Sequence, residues 1–503
     1  MQDRVMELLA AAYTEPTFLT YVFLVLAIFL ALSFEFVNGF HDTANAVATV
    51  IYTNTLKATP AVVWSGIWNL IGVLTSSGLV AFGIVALLPV ELVLNIGSAS
   101  GFAMVFSLLI SAILWNVGTW YFGLPASSSH TLIGSIIGVG LANALMGPSH
   151  SITEGVNWAK AQDVGLGLLI SPVFGFCAAG LLLLLCKALV KNPSLYRAPE
   201  GKTPPPLWIR GLLMVTCTGV SFAHGSNDGQ KGMGLIVLIL VGILPGTYAL
   251  KMSADEATVG SAAVSARTLE GVFAKAAGGL KLDGTAAKDA LTDYIKSSGK
   301  LTPAVYAGLA DKCGDLNRRL ETTKDLDKLP AAERGEVRTD FYLISKTIAK
   351  LEKTKAMSDP ADKAKAGELK KTGEALTNFI PDWVKYAVAL SLGLGTMIGY
   401  KRIVVTVGEK IGKDHLTYAQ GGSAELVAMS TILVADHFGL PVSTTHVLSS
   451  GVAGTMAANN SGLQMGTLRN ILMAWILTLP VCIFLGAFLF AFGLNLIALL
   501  GIQ

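Results

Sequence analysis

Long apolar stretches dominate this chain and recur from residue 18 to residue 500, with polar segments between them. A helix that crosses a bilayer needs about 20 apolar residues, and most of the stretches reach that length. Several can hold more than one element, so the pattern predicts an all-α integral membrane protein with about ten to twelve transmembrane elements. The apolar stretches cover residues 18–37, 61–89, 102–122, 164–190, 207–223, 232–250, 384–400, 420–438 and 470–500.

One polar segment, residues 251–382, interrupts this pattern. It is rich in Ala, Lys, Asp and Glu, and it holds 22 of the 37 Lys and Arg residues of the chain. Inside it, residues 340–355 have a spacing that is typical of an amphipathic helix. We predict a soluble helical insert with a structural or regulatory role, which divides a membrane domain at 1–250 from a second membrane part at 383–503.

The composition supports a chain that mostly faces lipid, because 52% of its residues are hydrophobic and only 14% are charged. Soluble proteins average about 25% charged residues. The net charge of +3 forms no one-sign patch, so no nucleic-acid partner is expected. The five cysteines lack Cys-x-x-Cys spacing, and we predict neither a disulfide nor a bound metal.

The ends of the apolar stretches give a topology signal. The first 20 residues lack a basic region followed by a cleavage site, so the first apolar stretch is expected to stay as a membrane span. Basic residues cluster in loops near 187–210 and 401–413. The positive-inside rule predicts that such loops face the cytoplasm.

Two short motifs each occur twice, in the same order along the chain. Residues 39–46 correspond to 225–232, and residues 124–130 correspond to 440–446. The second pair keeps Leu, Pro, three Ser or Thr residues and His in register. Duplicated halves with Gly- or Pro-interrupted apolar segments are typical of inverted-repeat secondary transporters with broken helices, whose binding site lies between the repeats. The first repeat and the start of the second precede the insert.

Each Leu-Pro motif ends in three hydroxyl side chains. Because proline favours the start of a helix, each triplet is predicted to open a half-helix inside the membrane. A helix N-terminus offers unpaired N–H groups and a partial positive charge, which suit a tetrahedral oxyanion. The alternative is that the hydroxyls only cap helices or bond to backbone carbonyls. The candidate anion ligands are Ser127, Ser128, Ser129, Ser443, Thr444 and Thr445.

Asp42 and Asp228 lie in apolar surroundings, where an ionised carboxylate is costly and is usually functional. With the side-chain carbonyls of Asn45 and Asn227, and with freed backbone carbonyls, they offer oxygen ligands for a small hard cation. Capping of a broken helix is the alternative role. Lys231 occupies the position that Asn45 has in the first motif. Its fixed positive charge could pair with Asp228, replace a sodium ion, or bind the anion directly.

Four further residues are candidate proton carriers. Glu35 and Glu425 are carboxylates within apolar segments, although each could instead face a polar cavity without a role in transport. His130 and His446 follow the hydroxyl triplets and could titrate near neutral pH. A histidine that hydrogen-bonds to the end of a broken helix is the alternative for both.

The repeated motifs resemble the twice-occurring Gly-Ala-Asn-Asp-Val-Ala-Asn-Ala-type signature of the Pit family of inorganic phosphate transporters. The resemblance covers about residues 20–250 and 384–500 and is closest to the bacterial low-affinity, proton-coupled branch. It implies a multi-pass inner-membrane protein that imports phosphate by alternating access, and it implies a homodimer. It also implies that a divalent metal (Mg²⁺, Ca²⁺ or Zn²⁺) can travel with phosphate, and that no other cofactor is needed.

The chain departs from that signature at His41, where Asn is usual, and at Gln230 and Lys231. These departures favour proton coupling over a two-sodium mechanism. A sodium-coupled phosphate symporter remains an alternative, as do a passive channel and a carrier of sulfate or another tetrahedral oxyanion. The aspartates favour phosphate over sulfate because a protonated anion can donate a hydrogen bond to them. An enzyme is not expected, since no Gly-x-Ser-x-Gly elbow is present.

Overall fold

The computed structural model describes residues 17–88, 93–94, 97–146, 155–296, 299–323, 325–357 and 359–500. The described chain is almost entirely helical, and its one β feature is an isolated bridge between Gly412 and Leu463. The predicted all-α class is therefore confirmed. The helices before the insert are α1 (Phe18–Tyr52), α2 (Ala58–Thr75), α3 (Leu79–Val85), α4 (Ala99–Tyr121), α5 (Ser128–Met146), α6 (Trp158–Leu189), α7 (Leu207–Ile243) and the single turn α8 (Pro245–Tyr248).

The helices of the insert come next, and a second set of membrane helices follows them. The helices of the insert are α9 (Glu256–Ala276), α10 (Gly284–Ile295), α11 (Pro303–Thr322), α12 (Ala331–Lys353) and α13 (Pro360–Thr377). The remaining helices are α14 (Asp382–Met397), α15 (Lys401–Glu409), α16 (Tyr418–His437), α17 (Thr444–Ala458) and α18 (Met465–Leu500).

The helices repeat in the order that the duplicated motifs predict. Helices α1 to α6 correspond in turn to α7 and α14 to α18, so each half contains a long signature helix, a broken helix, an approach helix, a half-helix and a last long helix. A glycine with positive φ stands at each broken helix, Gly78 in the first half and Gly399 in the second. Each last helix contains one proline, Pro172 in α6 and Pro480 in α18. The structure thus contains two sets of helices in the same order, each with a broken helix, as the duplicated motifs predict.

The two halves exchange their half-helices. Helix α5 of the first half packs along α18 of the second, and α17 of the second half packs along α6 of the first. Gly138 permits the first contact, because a Cβ there would meet the carbonyl oxygen of Ile483. Gly454 does the same against the carbonyl oxygen of Phe176. Glycine lets two backbones approach closely in a membrane, so each half holds the other's half-helix in place.

Seven of the described helices are long and apolar enough to cross a membrane, or eight if the bent pair α14 and α15 is one span. The axes of that pair differ by 63°. The spanning helices differ in burial. In the most apolar segment of α5, 72% of the residues are buried inside the protein, compared with only 17% in that of α18. A half-helix that is buried in protein and a long helix that faces lipid are what a transporter with an internal site requires. Helices α3, α16 and α17 also belong to the repeated set but are not among these spanning helices.

The insert is a helical unit with its own apolar core. Helix α9 packs against α11 and α13, and side chains such as Phe273, Leu309 and Phe341 are buried there. Asp255 and Asp359 cap α9 and α13 by accepting hydrogen bonds from backbone N–H groups. Residues 340–353 of the predicted amphipathic stretch lie in α12, and residues 354 and 355 follow its end. The predicted domain boundaries at 251 and 382 stay a prediction.

A group of charged side chains lies between α11 and α12. Lys312 lies within 3.4 Å of Asp315 and 3.7 Å of Asp340, and Arg319 is 3.5 Å from Asp340. Burial raises the pKa of Asp340 to about 7, although both cations act in the opposite direction. The same acids raise the pKa of Lys312 against the effect of its own burial.

Candidate functional site

Side chains from all four repeated motifs meet at one buried centre. Asp42 of α1 and Asp228 of α7 are 2% and 0% exposed. The hydroxyl of Ser128, at the start of α5, lies 3.3 Å from a carboxylate oxygen of Asp42 and 3.2 Å from one of Asp228, so it can donate to either. Thr445, at the start of α17, donates a hydrogen bond to the other oxygen of Asp42. The centre is therefore built from both halves.

The signature motifs themselves lie inside continuous helices. Helix α1 runs without interruption through residues 39–46, and α7 runs through residues 225–232. The prediction that the aspartates lie at a helix break beside freed backbone carbonyls is therefore wrong, as is its alternative that they cap one. The reason is that each signature carries Gly but no Pro, and a helix tolerates an isolated Gly. The breaks occur instead between α2 and α3, between α14 and α15, and at the Leu-Pro motifs.

Lys231 is completely buried, and its Nζ lies 2.6 Å from Asp228 and 3.4 Å from the hydroxyl of Ser128. The spacing of three residues places both charges on one face of α7, as the sequence predicted. Glu35 is connected to the same centre through Asn38. The amide nitrogen of Asn38 lies 3.4 Å from Glu35 and 3.4 Å from Asp228. One cation and three carboxylates thus share this buried region.

His224 is a residue of this centre that the sequence analysis missed. Its Nε2 lies 3.6 Å from Asp42 and 3.6 Å from Asp228, and its Nδ1 lies 2.6 Å from the side-chain oxygen of Asn69. Because a carbonyl oxygen accepts, this contact places a proton on Nδ1, and Nε2 faces the two aspartates. Its position four residues before Asp228 was the available signal, because such residues share a helix face.

Asp42, His224 and Asp228 have ligand atoms that lie within 4.8 Å of one another. All three residues are buried, and Nε2 of His224 has no hydrogen-bond partner among the described residues. Two carboxylate oxygens and an imidazole nitrogen are ligands that Zn²⁺ and similar divalent ions accept. The residues therefore fit a cation, and the partner of Nδ1 would hold the imidazole ring in orientation.

The hydroxyl triplets divide into two roles. Helices α5 and α17 begin within their triplets, which confirms that each triplet opens a half-helix. The hydroxyls of Ser127 and Ser443 accept hydrogen bonds from backbone N–H groups three residues later, at 3.2 and 3.1 Å. These two residues cap their helices, as the alternative interpretation held.

The other hydroxyls lie deeper in each turn. Ser129 donates to the carbonyl oxygen of Val442 at 2.8 Å, which connects the first half-helix to the second Leu-Pro loop. Thr444 is buried at 2% exposure. Of the six residues, Ser128 and Thr445 contact the aspartates through their hydroxyls.

Asn227 and Asn45 are the predicted amide ligands of the coupling ion. The amide nitrogen of Asn227 donates to the carbonyl oxygen of Leu440 at 3.2 Å, so this side chain bonds to the Leu-Pro loop. Its oxygen is buried and has no hydrogen-bond partner among the described residues. Asn45 lies on α1, but its side chain is outside the part of the chain that the structure describes.

The remaining candidate proton carriers lie around the centre. The imidazole rings of His130 and His446 are 4.6 Å apart, and Trp475 lies 4.1 Å from the ring of His446. Glu425 of α16 is fully buried and accepts a hydrogen bond from Thr216 at 2.5 Å. The two histidines pair across the halves, whereas Glu425 bonds to a different part of α7.

Comparison with known proteins identifies what this arrangement is similar to. The model of the phosphate transporter family matches residues 38–486. The low-affinity inorganic phosphate transporter PitA of Escherichia coli (strain K12) is 42% identical over 500 residues, which cover 95% of this chain and 97% of that protein. A low-affinity inorganic phosphate transporter of Buchnera aphidicola subsp. Acyrthosiphon pisum is 41% identical over 488 residues, with 94% and 96% coverage.

A solved structure described as the sodium-dependent phosphate transporter aligns with 95% of this chain and 100% of its own, with a TM-score of 0.50. The sequence identity is 19%, so this similarity concerns the fold.

Proposed function

This chain belongs to the phosphate transporter family, and from that premise we propose that it imports inorganic phosphate by proton-coupled symport through the centre at Asp42 and Asp228. It is a multi-pass protein of the bacterial inner membrane. The observation that carries the proposal is the position of Ser128, whose hydroxyl lies within hydrogen-bonding distance of both aspartates. One hydroxyl triplet thereby reaches both signatures.

Phosphate fits this centre for electrostatic reasons. The half-helices α5 and α17 direct N–H groups and partial positive charge toward an anion. The aspartates would repel an anion, but phosphate at neutral pH retains at least one proton that can donate to a carboxylate. Sulfate at that pH has no proton to donate, so the same carboxylates disfavour it. The proposed phosphate ligands are Ser127, Ser128, Ser129, Ser443, Thr444 and Thr445.

The charge balance supports coupling to a cation. Three buried carboxylates face one buried Lys in this region, so a further positive charge must enter with the anion. Lys231 gives Asp228 a permanent counter-ion at the position where the first signature has an amide. We propose that a proton on Glu35, which Asn38 connects to Asp228, supplies one such charge. The proposed coupling residues are Asp42, Asn45, Asn227, Asp228 and Lys231, and the other candidate carriers are His130, His446 and Glu425.

A metal-phosphate complex is the form of substrate that the centre accommodates best. A divalent ion bound by Asp42, His224 and Asp228 would neutralise the carboxylates and leave positions for phosphate oxygens. The metal here is cargo that enters with phosphate. Alternating access then consists of rocking the two halves about this site, because each half contributes one signature and one half-helix. A homodimer remains part of the proposal.

Uptake of radiolabelled phosphate into proteoliposomes tests the proposal. The purified protein is given an imposed pH gradient, with and without sodium and with and without Mg²⁺ or Zn²⁺, and is compared with Asp42→Asn. We expect accumulation that follows the proton gradient and is lost in the variant. Stimulation by the metal would support the complex as substrate.

Three outcomes would change the assignment. Accumulation that requires a sodium gradient would show that sodium, and not the proton, is the coupled ion. Equilibration without accumulation would indicate a passive channel. No phosphate uptake by folded protein under any gradient would overturn the substrate, and sulfate would be tested next.

A further inference from the structure

The two halves close on the binding centre with contacts of opposite chemistry. Alignment of the signatures makes Phe40 equivalent to Ser226, and alignment of the Leu-Pro motifs makes Trp120 equivalent to Asp436. In each half the structure brings these equivalent residues together. The rings of Phe40 and Trp120 are 5.1 Å apart between centroids, and the hydroxyl of Ser226 donates to Asp436 at 2.6 Å.

The contact in the first half is mainly apolar. Phe40 is 8% exposed and meets Trp120 edge to face. The indole nitrogen of Trp120 donates to the carbonyl oxygen of Gly399 at 2.7 Å, and the guanidinium of Arg402 lies 5.2 Å from its ring. Aromatic contacts of this kind are stabilised chiefly by the apolar area that they remove from water. We call it the aromatic latch.

The contact in the second half is a network of hydrogen bonds. The second carboxylate oxygen of Asp436 accepts from the side-chain nitrogen of Gln230 at 2.6 Å. The oxygen of Gln230 in turn accepts from the backbone N–H of Val80 at 2.9 Å. Ser226, Gln230 and Asp436 form what we call the carboxylate latch. Asp436 is only partly buried, whereas Gln230 is completely buried.

Both latches occupy the same place in their halves. Each connects the signature helix to the end of the approach helix, four residues before the Leu of the Leu-Pro motif. Equivalent positions of an inverted repeat lie toward opposite faces of the membrane. Each latch therefore closes the route from the centre to one face. Separation of the aromatic rings exposes apolar area, whereas water that reaches the partly buried Asp436 can replace the hydrogen bonds of its carboxylate.

We propose that Asp436 is a positioning residue for transport, which holds one gate closed through Ser226 and Gln230, while Phe40 and Trp120 close the opposite gate. This inference rests on the proposed function. The gate at the carboxylate latch opens readily when water reaches it, and opening of the aromatic latch limits turnover. Asp436 acts through the two residues that it holds and makes no contact with the substrate in this scheme.

Accessibility of matched cysteines tests the proposal. Ala126 and Val442 are equivalent, buried positions in the two Leu-Pro loops, at 0% and 5% exposure. Ala126→Cys and Val442→Cys are made separately after the five native cysteines have been replaced. A membrane-impermeant maleimide is then applied to spheroplasts and to inverted vesicles. The proposal requires that each cysteine reacts from one face only, and that the two faces differ.

Asp436→Asn replaces one of the two accepting oxygens by a donor nitrogen, so the side chain can no longer accept from both Ser226 and Gln230 and the latch is weakened. We expect labelling of Val442→Cys to become about tenfold faster, the change that follows from losing one hydrogen bond to a charged group. Labelling of Ala126→Cys should not rise.

Labelling is independent of phosphate, so it separates this inference from the proposed function. Equal acceleration at both cysteines, or no acceleration at position 442 in protein that remains monodisperse, would overturn the role of Asp436. If labelling behaves as expected but the wild-type protein takes up no phosphate, the role of Asp436 at the gate is supported and the assignment of phosphate as substrate is wrong.

Discussion

Lys231 lies 2.6 Å from Asp228 in a region where neither side chain is exposed. A buried ion pair of this kind is strongly destabilising when one partner is removed, because the other charge remains without compensation. The pair also makes the halves unequal, since the equivalent residue of the first signature is Asn45. Several measurable consequences follow from this inequality and from the contacts around it.

Replacement of Lys231 by Asn should change the coupling ion. The variant loses the fixed counter-ion of Asp228 and offers an amide oxygen, so a sodium ion can occupy the place of the ammonium group. We expect phosphate uptake by Lys231→Asn to become stimulated by sodium. Lys231→Arg keeps the charge and is the control. Phosphate uptake by Lys231→Asn that is independent of sodium would show that Lys231 does not replace a bound sodium ion.

Ser128→Ala should weaken phosphate uptake because one side chain contacts both aspartates. Loss of hydrogen bonds to charged groups predicts a decrease of about ten- to a hundredfold in transport at low phosphate. Ser135→Ala is the matched control, since Ser135 lies on the same helix and donates to the carbonyl oxygen of Thr131. A similar decrease in both variants would assign the effect to packing of α5.

Glu35 and Glu425 can be separated by comparing exchange with accumulation. Glu35→Gln removes the proposed proton carrier next to Asn38, so we expect gradient-driven accumulation to be lost while exchange of labelled for unlabelled phosphate continues. Glu425→Gln should leave accumulation dependent on the proton gradient, because Glu425 bonds to Thr216 instead. The reverse result would make Glu425 the carrier.

His224→Asn should reduce stimulation of uptake by divalent metal. The variant removes the imidazole nitrogen that lies 3.6 Å from both aspartates, while its amide can still bond to Asn69. We expect uptake at saturating phosphate without metal to change less than uptake with Zn²⁺. A chelator should abolish the difference between wild type and variant. Identical metal dependence in the two proteins would exclude His224 as a ligand.

The insert should be more stable at pH 5 than at pH 8. Burial raises the pKa of Asp340 to about 7, whereas an unfolded chain releases that proton at about pH 3.9. Between these values the folded state binds more protons, so stability falls as the pH rises, and it is constant above the folded pKa. Since one pKa unit corresponds to about 1.4 kcal/mol, the loss is of the order of a few kcal/mol.

Hydrogen exchange of the full-length protein measures this change. Protection factors of α12, corrected for the intrinsic exchange rate, should be lower at pH 8 than at pH 5. Asp340→Asn has no titrating group at this position and should flatten the profile. A profile that is equally steep in wild type and variant would place the titration at another residue.

The repeated motifs were sufficient to predict which segments form the centre. The Leu-Pro pattern also predicted where the half-helices begin, because proline acts locally on the backbone. The same local reasoning failed for residues 39–46 and 225–232, where glycine suggested a break and the helix continues. Glycine permits a break without requiring one, and packing against other helices decides.

Residues whose partners lie far along the chain were beyond sequence reasoning. His224 is recognised by its distance to Asp42, and these residues come from different helices. The proposed role of Asp436 depends on its contacts with Ser226 and Gln230, and no spacing rule connects these residues in the sequence. Asn227 is predicted as an ion ligand because it precedes an aspartate, and only the structure shows that its amide nitrogen donates to the carbonyl oxygen of Leu440. Each of these contacts is set by tertiary packing.

The insert interrupts the repeat at a single connection. In the first half, α1 is followed after a short turn by α2, whereas in the second half residues 244–381 separate α7 from α14. Because the first half has the same order of helices with only a short turn at this point, the repeat itself does not need an insert in order to form. The link between the signature helix and the broken helix is therefore a connection at which this architecture tolerates a long additional domain.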